Sequence, residues 1–118
     1  MQVSQNKLSN DSDIELKEDL AILLADLKRP QTMLDFLSTF LSETEMTILS
    51  KRLAILKRLH NNHSYEQIQK DLQVSSATIS SVAQIKDKDI SDDIVQRLQI
   101  HDWAERTAHN LRSWLQKA

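Results

Sequence analysis

Cysteine and glycine are both missing from this 118-residue chain, and proline occurs only once, at Pro30. Without cysteine, neither a disulfide framework nor a thiolate metal site can form. The lack of glycine and near lack of proline argue against sheets with their tight turns, while Leu, Ile, Gln, Lys and Asp are abundant and favour helices. The composition therefore predicts an all-α protein.

Long apolar runs are missing as well. No uninterrupted apolar stretch approaches the roughly 20 residues of a membrane helix, and the start MQVSQNKLSN lacks the apolar segment of a secretion signal. We therefore expect a cytoplasmic protein with no membrane partner. The length suits one domain, yet it is short enough that a partner subunit would help to bury a core.

A large charge of one sign is also absent, since the formal net charge is -2. The whole molecule thus gives no electrostatic indication of a nucleic-acid partner. Between residues 51 and 65, however, the chain carries four basic residues and no acid: Lys51, Arg52, Lys57 and Arg58. Such a cluster could meet phosphates, or it could simply be a solvated helix face.

The first part of the chain predicts a tail and two helices. Residues 1–12 are polar and unpatterned, which predicts disorder, so the single helical domain is expected to span 13–118. Ser12 or Asp13 is the expected cap of a helix with leucines at helical spacing, and Pro30 is expected to begin a second helix. The residues expected to face inward from that second helix are Met33, Leu34, Leu37, Phe40 and Leu41.

A long third helix is predicted from the stretch SETE to about residue 60. Ser42 and Glu45 can form a capping box at its start. Its apolar residues cover more than one stripe, which predicts burial on more than one side and hence a homodimer. The segment HNNHS should end this helix, with an asparagine in a left-handed cap conformation.

Two short helices follow almost without a break in SYEQIQKDLQVSSATISSV, and they predict a helix-turn-helix at 64–85. Ser64 with Gln67 is a second capping-box candidate, and Ser75 is the expected cap of the second helix. An apolar knot should hold the corner, supplied by Ile68, Leu72, Val74, Ile79 and Val82.

The exposed side of the second helix should be small and rich in hydroxyls, with Ser75, Ser76, Ala77, Thr78, Ser80 and Ser81. Such a surface can approach base edges and phosphates closely. The alternative interpretation is a helix hairpin with a merely soluble face.

The last part of the chain leaves alternatives open. Ser91 can cap a final helical region, which could be one helix or two. Trp103 and Trp114 would share a face of a continuous helix, where core packing competes with a partner or effector surface.

No motif for catalysis or for metal binding stands out in the sequence. His60 and His63 could share a metal, but two ligands without a third make a weak site, so no metal is predicted. Neither a nucleophile with an adjacent base nor a glycine-rich phosphate loop occurs. We therefore expect no enzyme and no cofactor.

The stretch SYEQIQKDLQVSSATIS, preceded by LSETEMTILSKRLAILKRL, resembles the Trp repressor family and its small bacterial relatives over about residues 16–90. The resemblance implies an intertwined, all-helical homodimer that binds double-stranded DNA at a palindromic operator, with half-sites about one helical turn apart. The implied DNA-binding positions are Gln69, Lys70, Ser75, Ser76, Ala77, Thr78, Ser80 and Ser81.

The sequence departs from the tryptophan-responsive members of that family at the implied effector pocket. Arg52 matches one of the two arginines that sandwich the indole, and Leu41 with Ser42 matches the pocket floor. Ser81 stands where the second arginine would be, and Val82 stands in place of a glycine. The resemblance therefore implies that tryptophan is not the corepressor and leaves any effector unknown.

The DNA-facing charges are also reduced relative to those members. Glu66 and Gln69 occupy basic positions, and Gln73 replaces the glycine of the turn, which costs roughly 1 kcal/mol in a left-handed conformation. The basic residues that could compensate are Lys51, Lys57, Arg58, Lys70, Lys86 and Lys88. We expect a homodimeric helix-turn-helix repressor; the alternative is a helical interaction or dimerisation module that reads no DNA.

Overall fold

The computed structural model describes Asn6 and residues 8–117, and every regular element within them is an α-helix. Six helices follow one another: α1 (Asn10–Asp26), α2 (Pro30–Phe40), α3 (Glu43–His60), α4 (Tyr65–Leu72), α5 (Ser76–Lys86) and α6 (Asp89–Lys117). The predicted all-α class is confirmed. No described helix is long and apolar enough to cross a membrane.

The chain divides into two compact units, Met1–Met46 and Thr47–Ala118. The single domain expected over 13–118 stays a prediction. Half of the expected disordered tail, namely residues 1–5 and 7, lies outside the described residues, and residues 10–12 belong to α1.

In the first unit, α1 begins at Asn10 because the Ser9 hydroxyl accepts a hydrogen bond from the Ser12 amide at 3.3 Å. The predicted cap at Ser12 or Asp13 is therefore wrong. Proline begins α2 as predicted, because its fixed φ suits a first helical turn. Neither helix buries a residue, and Phe40, which was expected to face inward, is 70% exposed.

The capping box at the start of α3 is confirmed. The Ser42 amide donates to Glu45 Oε1 at 2.9 Å, and the Glu45 amide donates to the Ser42 hydroxyl at 3.1 Å. The Ser42 backbone amide, and then the Ser42 side chain, hold the pKa of the Glu45 carboxyl below its usual value. The helix ends at His60, and Asn62 adopts the predicted left-handed conformation with φ 61°.

The second unit contains the core. Buried apolar residues come from α3, α4, α5 and α6: Ile55, Leu56, Leu59, Ile68, Ile79, Val82 and Val95. Leu72 and Val74 are partly buried against them, so the predicted apolar knot is confirmed. On α3, the described residues cover one side of the helix, while Ile48, Leu49 and Leu53 remain exposed.

Continuous helix α6 resolves the alternatives left open for the C-terminal region. Ser91 does not cap it, because α6 already begins at Asp89. Ser91 is instead fully buried, and its hydroxyl donates to the Lys86 carbonyl at 2.6 Å. Trp103 and Trp114 are 64% and 65% exposed, so neither is packed in the core that the described residues form.

Candidate nucleic-acid interface

The corner between α4 and α5 begins with a side-chain cap. The Ser64 hydroxyl accepts from the Gln67 amide at 3.2 Å, as predicted. The Gln67 side chain does not return to Ser64, however; it donates to Asp71 Oδ1 at 2.9 Å. The second capping box is therefore only half formed, because Asp71 lies one turn further along α4 and competes for the amide.

Gln73 carries the turn itself and has the left-handed conformation expected of it, with φ 54° and ψ 55°. Two hydrogen bonds support this residue. Its side-chain amide donates to the Lys70 carbonyl at 2.8 Å, and its own carbonyl accepts from Lys51 Nζ at 3.4 Å. The turn therefore needs no glycine, because side-chain contacts stabilise a conformation that is costly for a residue with a Cβ.

Helix α5 starts after Ser75, whose hydroxyl accepts from the Thr78 amide at 3.1 Å. The buried side of the helix carries Ile79 and Val82, which anchor it in the core. The other predicted DNA-binding positions of this segment, Ser76, Ala77, Thr78, Ser80 and Ser81, are all exposed on the outer side. The structure therefore brings these small side chains together on one surface.

The five hydroxyls on this surface are not equally available. Ser81 donates to the Ala77 carbonyl at 3.2 Å, and the Ser75 and Thr78 hydroxyls lie 2.9 Å apart. Within the described part of the chain, Ser76 and Ser80 form no side-chain hydrogen bond. These two residues are one turn apart and lie on the same face of α5.

Of the basic residues expected to meet phosphates, Lys51 donates to the Gln73 carbonyl, and the other five fall into two groups. Lys57 forms an ion pair with Asp102 and Arg58 forms one with Asp71, so their charges are balanced within the chain. The expectation that Lys57 and Arg58 compensate for lost phosphate contacts is therefore not supported. Each ion pair joins two residues that are far apart in the sequence, so no sequence motif indicated either pair.

The carboxyl groups of both ion pairs have pKa values below the ordinary value for aspartate, because each accepts hydrogen bonds. The pKa of Asp71 is lowered by hydrogen bonds from Gln67 and then from Arg58, and the pKa of Asp102 is lowered mainly by the hydrogen bond from Lys57.

A second group of basic residues has no ion-pair partner among the described residues: Lys70, Lys86 and Lys88. All three are exposed, and Lys70 lies on α4, next to the half-buried Gln69.

A groove of about 540 Å³ separates α3 from the turn and α5. Two of the four predicted effector-pocket residues, Arg52 and Ser81, line it, together with Val82. Leu41 and Ser42 belong to the other compact unit. Arg52 offers the groove one guanidinium, while Ser81 contributes a hydroxyl that is already bonded to the helix backbone.

Arg52 also lines an apolar depression with Leu49, Leu53 and Ile94. Its methylene stem therefore covers apolar surface, as a snorkelling arginine does.

In the part of the chain that the structure describes, no three His, Asp or Glu side chains are grouped closely enough to hold a metal ion. His60 instead places Nε2 2.9 Å from Asp92 Oδ1 and links the end of α3 to α6.

Comparison with models of protein families gives a match. The family model described as Trp repressor protein matches residues 16–99, which include all of α2 to α5. Neither a curated protein nor a solved structure matches the chain.

Proposed function

Because the chain belongs to the Trp repressor family of DNA-binding regulators, we propose that it is a transcriptional repressor acting as a homodimer on a palindromic operator. The observation that carries this proposal is the outer surface of α5, where small, exposed residues stand on a rigid apolar base. Rigid placement matters because direct readout requires donors and acceptors to be held at base edges.

The proposed base contacts come from Ser76 and Ser80. Their hydroxyls have no partner within the described residues, so they can donate to or accept from base edges without breaking a hydrogen bond. Ala77 and the Thr78 methyl group can contact a thymine methyl. The hydroxyls of Ser75 and Ser81 contribute less, because both already bond within the helix.

The proposed phosphate contacts come from Lys70, Lys86 and Lys88. Each neutralised phosphate adds roughly 0.9 to the slope of log affinity against log salt concentration. Six such contacts in a dimer would give a slope of about -5, which is modest for an operator-binding protein. The repressor should therefore bind DNA with moderate salt sensitivity.

The homodimer is supported by apolar surface that a single chain leaves open. Neither α1 nor α2 buries any residue, although α2 carries Leu34 and Phe40. On α3, Ile48, Leu49 and Leu53 are exposed as well. Exposed large apolar side chains in such numbers are typical of surfaces that bind another protein. A second subunit would cover them and would place a second α5 for the other operator half-site.

Tryptophan is not the proposed corepressor. An indole held between two guanidinium planes would need a second arginine where Ser81 stands, and Val82 fills the adjacent position with a branched side chain that is only 2% exposed. The repressor would then bind its operator without tryptophan.

Selection of duplexes from a random DNA pool tests the proposal. The full-length protein should recover a palindrome whose half-sites are about one helical turn apart. The alternative function is a helical interaction module, which the net charge of -2 and the internally paired Lys57 and Arg58 favour. Recovery of no motif at either physiological or low salt would support that alternative.

A further inference from the structure

Four exposed residues of α5 share one arc of the helix. With about 100° between successive residues, Ser76, Ala77, Ser80 and Gln84 fall within an arc of about 100°. None of the four lines the groove between α3 and α5, and the arc is centred almost opposite the buried Val82. We call these four residues the free arc of α5.

The three small residues of the free arc can contact DNA but discriminate poorly between bases. A serine hydroxyl both donates and accepts, so Ser76 and Ser80 can pair with more than one base edge. The Ala77 methyl group offers only an apolar contact. A sequence-specific protein binds its site about 10³–10⁷ times more tightly than other DNA. Much of that discrimination must therefore come from another side chain.

Few side chains of the helix-turn-helix can form a pair of hydrogen bonds with one base. Arginine and asparagine, which commonly do so, are both missing between residues 64 and 86. Lys70 and Lys86 are the proposed phosphate contacts. The remaining candidates are glutamines, whose carboxamide carries a donor and an acceptor side by side. The segment contains Gln67, Gln69, Gln73 and Gln84.

Three of these glutamines are already bonded or partly covered. The Gln67 and Gln73 side chains donate hydrogen bonds within the chain, at 2.9 and 2.8 Å. Gln69 is half-buried on α4. Gln84 is exposed, and its carboxamide forms no hydrogen bond with any described residue. Both its amino group and its carbonyl oxygen are therefore available.

A free carboxamide matches the major-groove edge of adenine. The amino group donates to adenine N7 while the carbonyl oxygen accepts from the N6 amino group, so both bonds form on one base. Gln84 lies on the third turn of α5, about 12 Å along the axis from Ser76. The N-terminal residues of a reader helix contact the base edges. A side chain on the third turn needs to be longer than serine to reach them, and glutamine meets that requirement.

By this elimination we infer that Gln84 is a specificity-determining residue that pairs with an adenine at a fixed position of each operator half-site. The inference rests on the proposed function, because it requires that α5 reads DNA. It adds a base preference to that function. One such pair contributes about 5- to 150-fold discrimination against a different base. The two-fold symmetry places two of these adenines in each operator.

Selection of duplexes from a random DNA pool tests the inference with the full-length protein and three variants. The unmodified protein should recover an adenine at one position of each half-site. Gln84→Ala should lose the preference at that position alone, whereas Gln84→Glu should change it to cytosine and Gln84→Arg to guanine. A matched control, Gln96→Arg, adds the same charge to an exposed position of α6 and should leave the motif unchanged.

A changed base preference is a result that a purely structural role cannot produce, because lost stability weakens binding to every sequence alike. An identical palindrome from the unmodified protein and all three Gln84 variants would overturn the inference alone and would indicate readout of DNA shape at that position. A responding position that holds a base other than adenine in the unmodified motif would overturn it as well. Recovery of no motif by the unmodified protein would overturn the proposed function together with the inference.

A modified base tests the contact at the level of single atoms. In 7-deazaadenine a CH group replaces the N7 acceptor, while pairing with thymine is retained. Placed at the selected adenine, it should weaken binding of the unmodified protein by about 2- to 12-fold, the contribution of one hydrogen bond. The affinity of Gln84→Ala should not change. Equal losses of affinity for the two proteins would overturn the pairing with adenine.

Discussion

The ammonium group of Lys51 donates a hydrogen bond to the backbone carbonyl of Gln73, 3.4 Å away, and so connects the middle of α3 to the turn between α4 and α5. This turn positions α5, the proposed reader. A left-handed residue with a Cβ costs roughly 1–2 kcal/mol. Here the contacts from Lys51 and from the Gln73 side chain to the Lys70 carbonyl offset part of that cost.

Substitutions at Gln73 separate these effects. Gln73→Ala keeps the Cβ but loses the side-chain hydrogen bond, so we expect the free energy of unfolding to fall by about 1 kcal/mol. Gln73→Gly also removes the Cβ clash, which balances the lost hydrogen bond and the greater entropy of the unfolded chain. We expect it to unfold within about 0.5 kcal/mol of the unmodified protein. Urea unfolding that finds the glycine variant less stable than the alanine variant would contradict this account.

The buried Ser91 hydroxyl fixes the start of α6, because it donates to the Lys86 carbonyl across the turn between α5 and α6. Ser91→Ala should lower the free energy of unfolding by about 1 kcal/mol relative to a matched control, Ser113→Ala. Ser113 is half-buried on the same helix and forms no side-chain hydrogen bond within the described residues. Both changes gain the same helix propensity, so the difference isolates the hydrogen bond. Equal thermal denaturation of the two variants would contradict the assignment.

Much of the corner could be predicted from the sequence because its determinants are local. The spacing of Ile68, Ile79 and Val82 sets which side of each short helix is apolar, and Ser64 and Ser75 cap helices through amides three residues away. Contacts over such short separations follow from helix geometry alone.

The features that could not be predicted from the sequence depend on contacts between residues that are distant along the chain. Ser91 precedes two acids and so resembles an N-cap, yet α6 begins two residues earlier and buries it. The pairing of Lys57 with Asp102 joins positions 45 residues apart. The exposure of Trp103 follows from where α6 extends, since the same helical spacing fits a core or a free surface.

Titration of the Asp71 carboxyl with acid should show the effect of the hydrogen bonds that Gln67 and Arg58 donate to it. Their hydrogen bonds lower the pKa of this carboxyl from the ordinary value of 3.8. The unfolded chain then binds the proton more readily, so the resulting stability is present above pH 3.8 and is lost as the pH falls through the lowered pKa.

Carboxyl NMR of the folded protein measures this pKa directly. Gln67→Ala should raise the Asp71 midpoint, since Gln67 is the largest cause of its shift, and Arg58→Gln should raise it by less. An unchanged midpoint in both variants would contradict the contacts.

DNA binding should depend on the free hydroxyls of α5. Ser76→Asp with Ser80→Asp replaces two proposed base contacts, each contributing about 1–3 kcal/mol, by charges that repel DNA. We expect operator affinity to fall by more than a hundredfold with little change in melting temperature. The matched control is Asn110→Asp with Gln116→Asp, which adds the same charge to the polar face of α6. Equal affinity losses in the two variants would show a general charge effect in place of readout by α5.

Calorimetry with L-tryptophan tests the effector groove. The unmodified protein should give no specific heat, because a single guanidinium from Arg52 leaves one face of the indole without a partner and Val82 narrows the site. Ser81→Arg restores the second guanidinium while leaving the buried Val82 in place. This variant should therefore gain at most weak binding, since stacking an aromatic ring on a cation contributes about 0.5–2 kcal/mol. A micromolar isotherm with one site per subunit in the unmodified protein would show that Ser81 and Val82 do not exclude tryptophan.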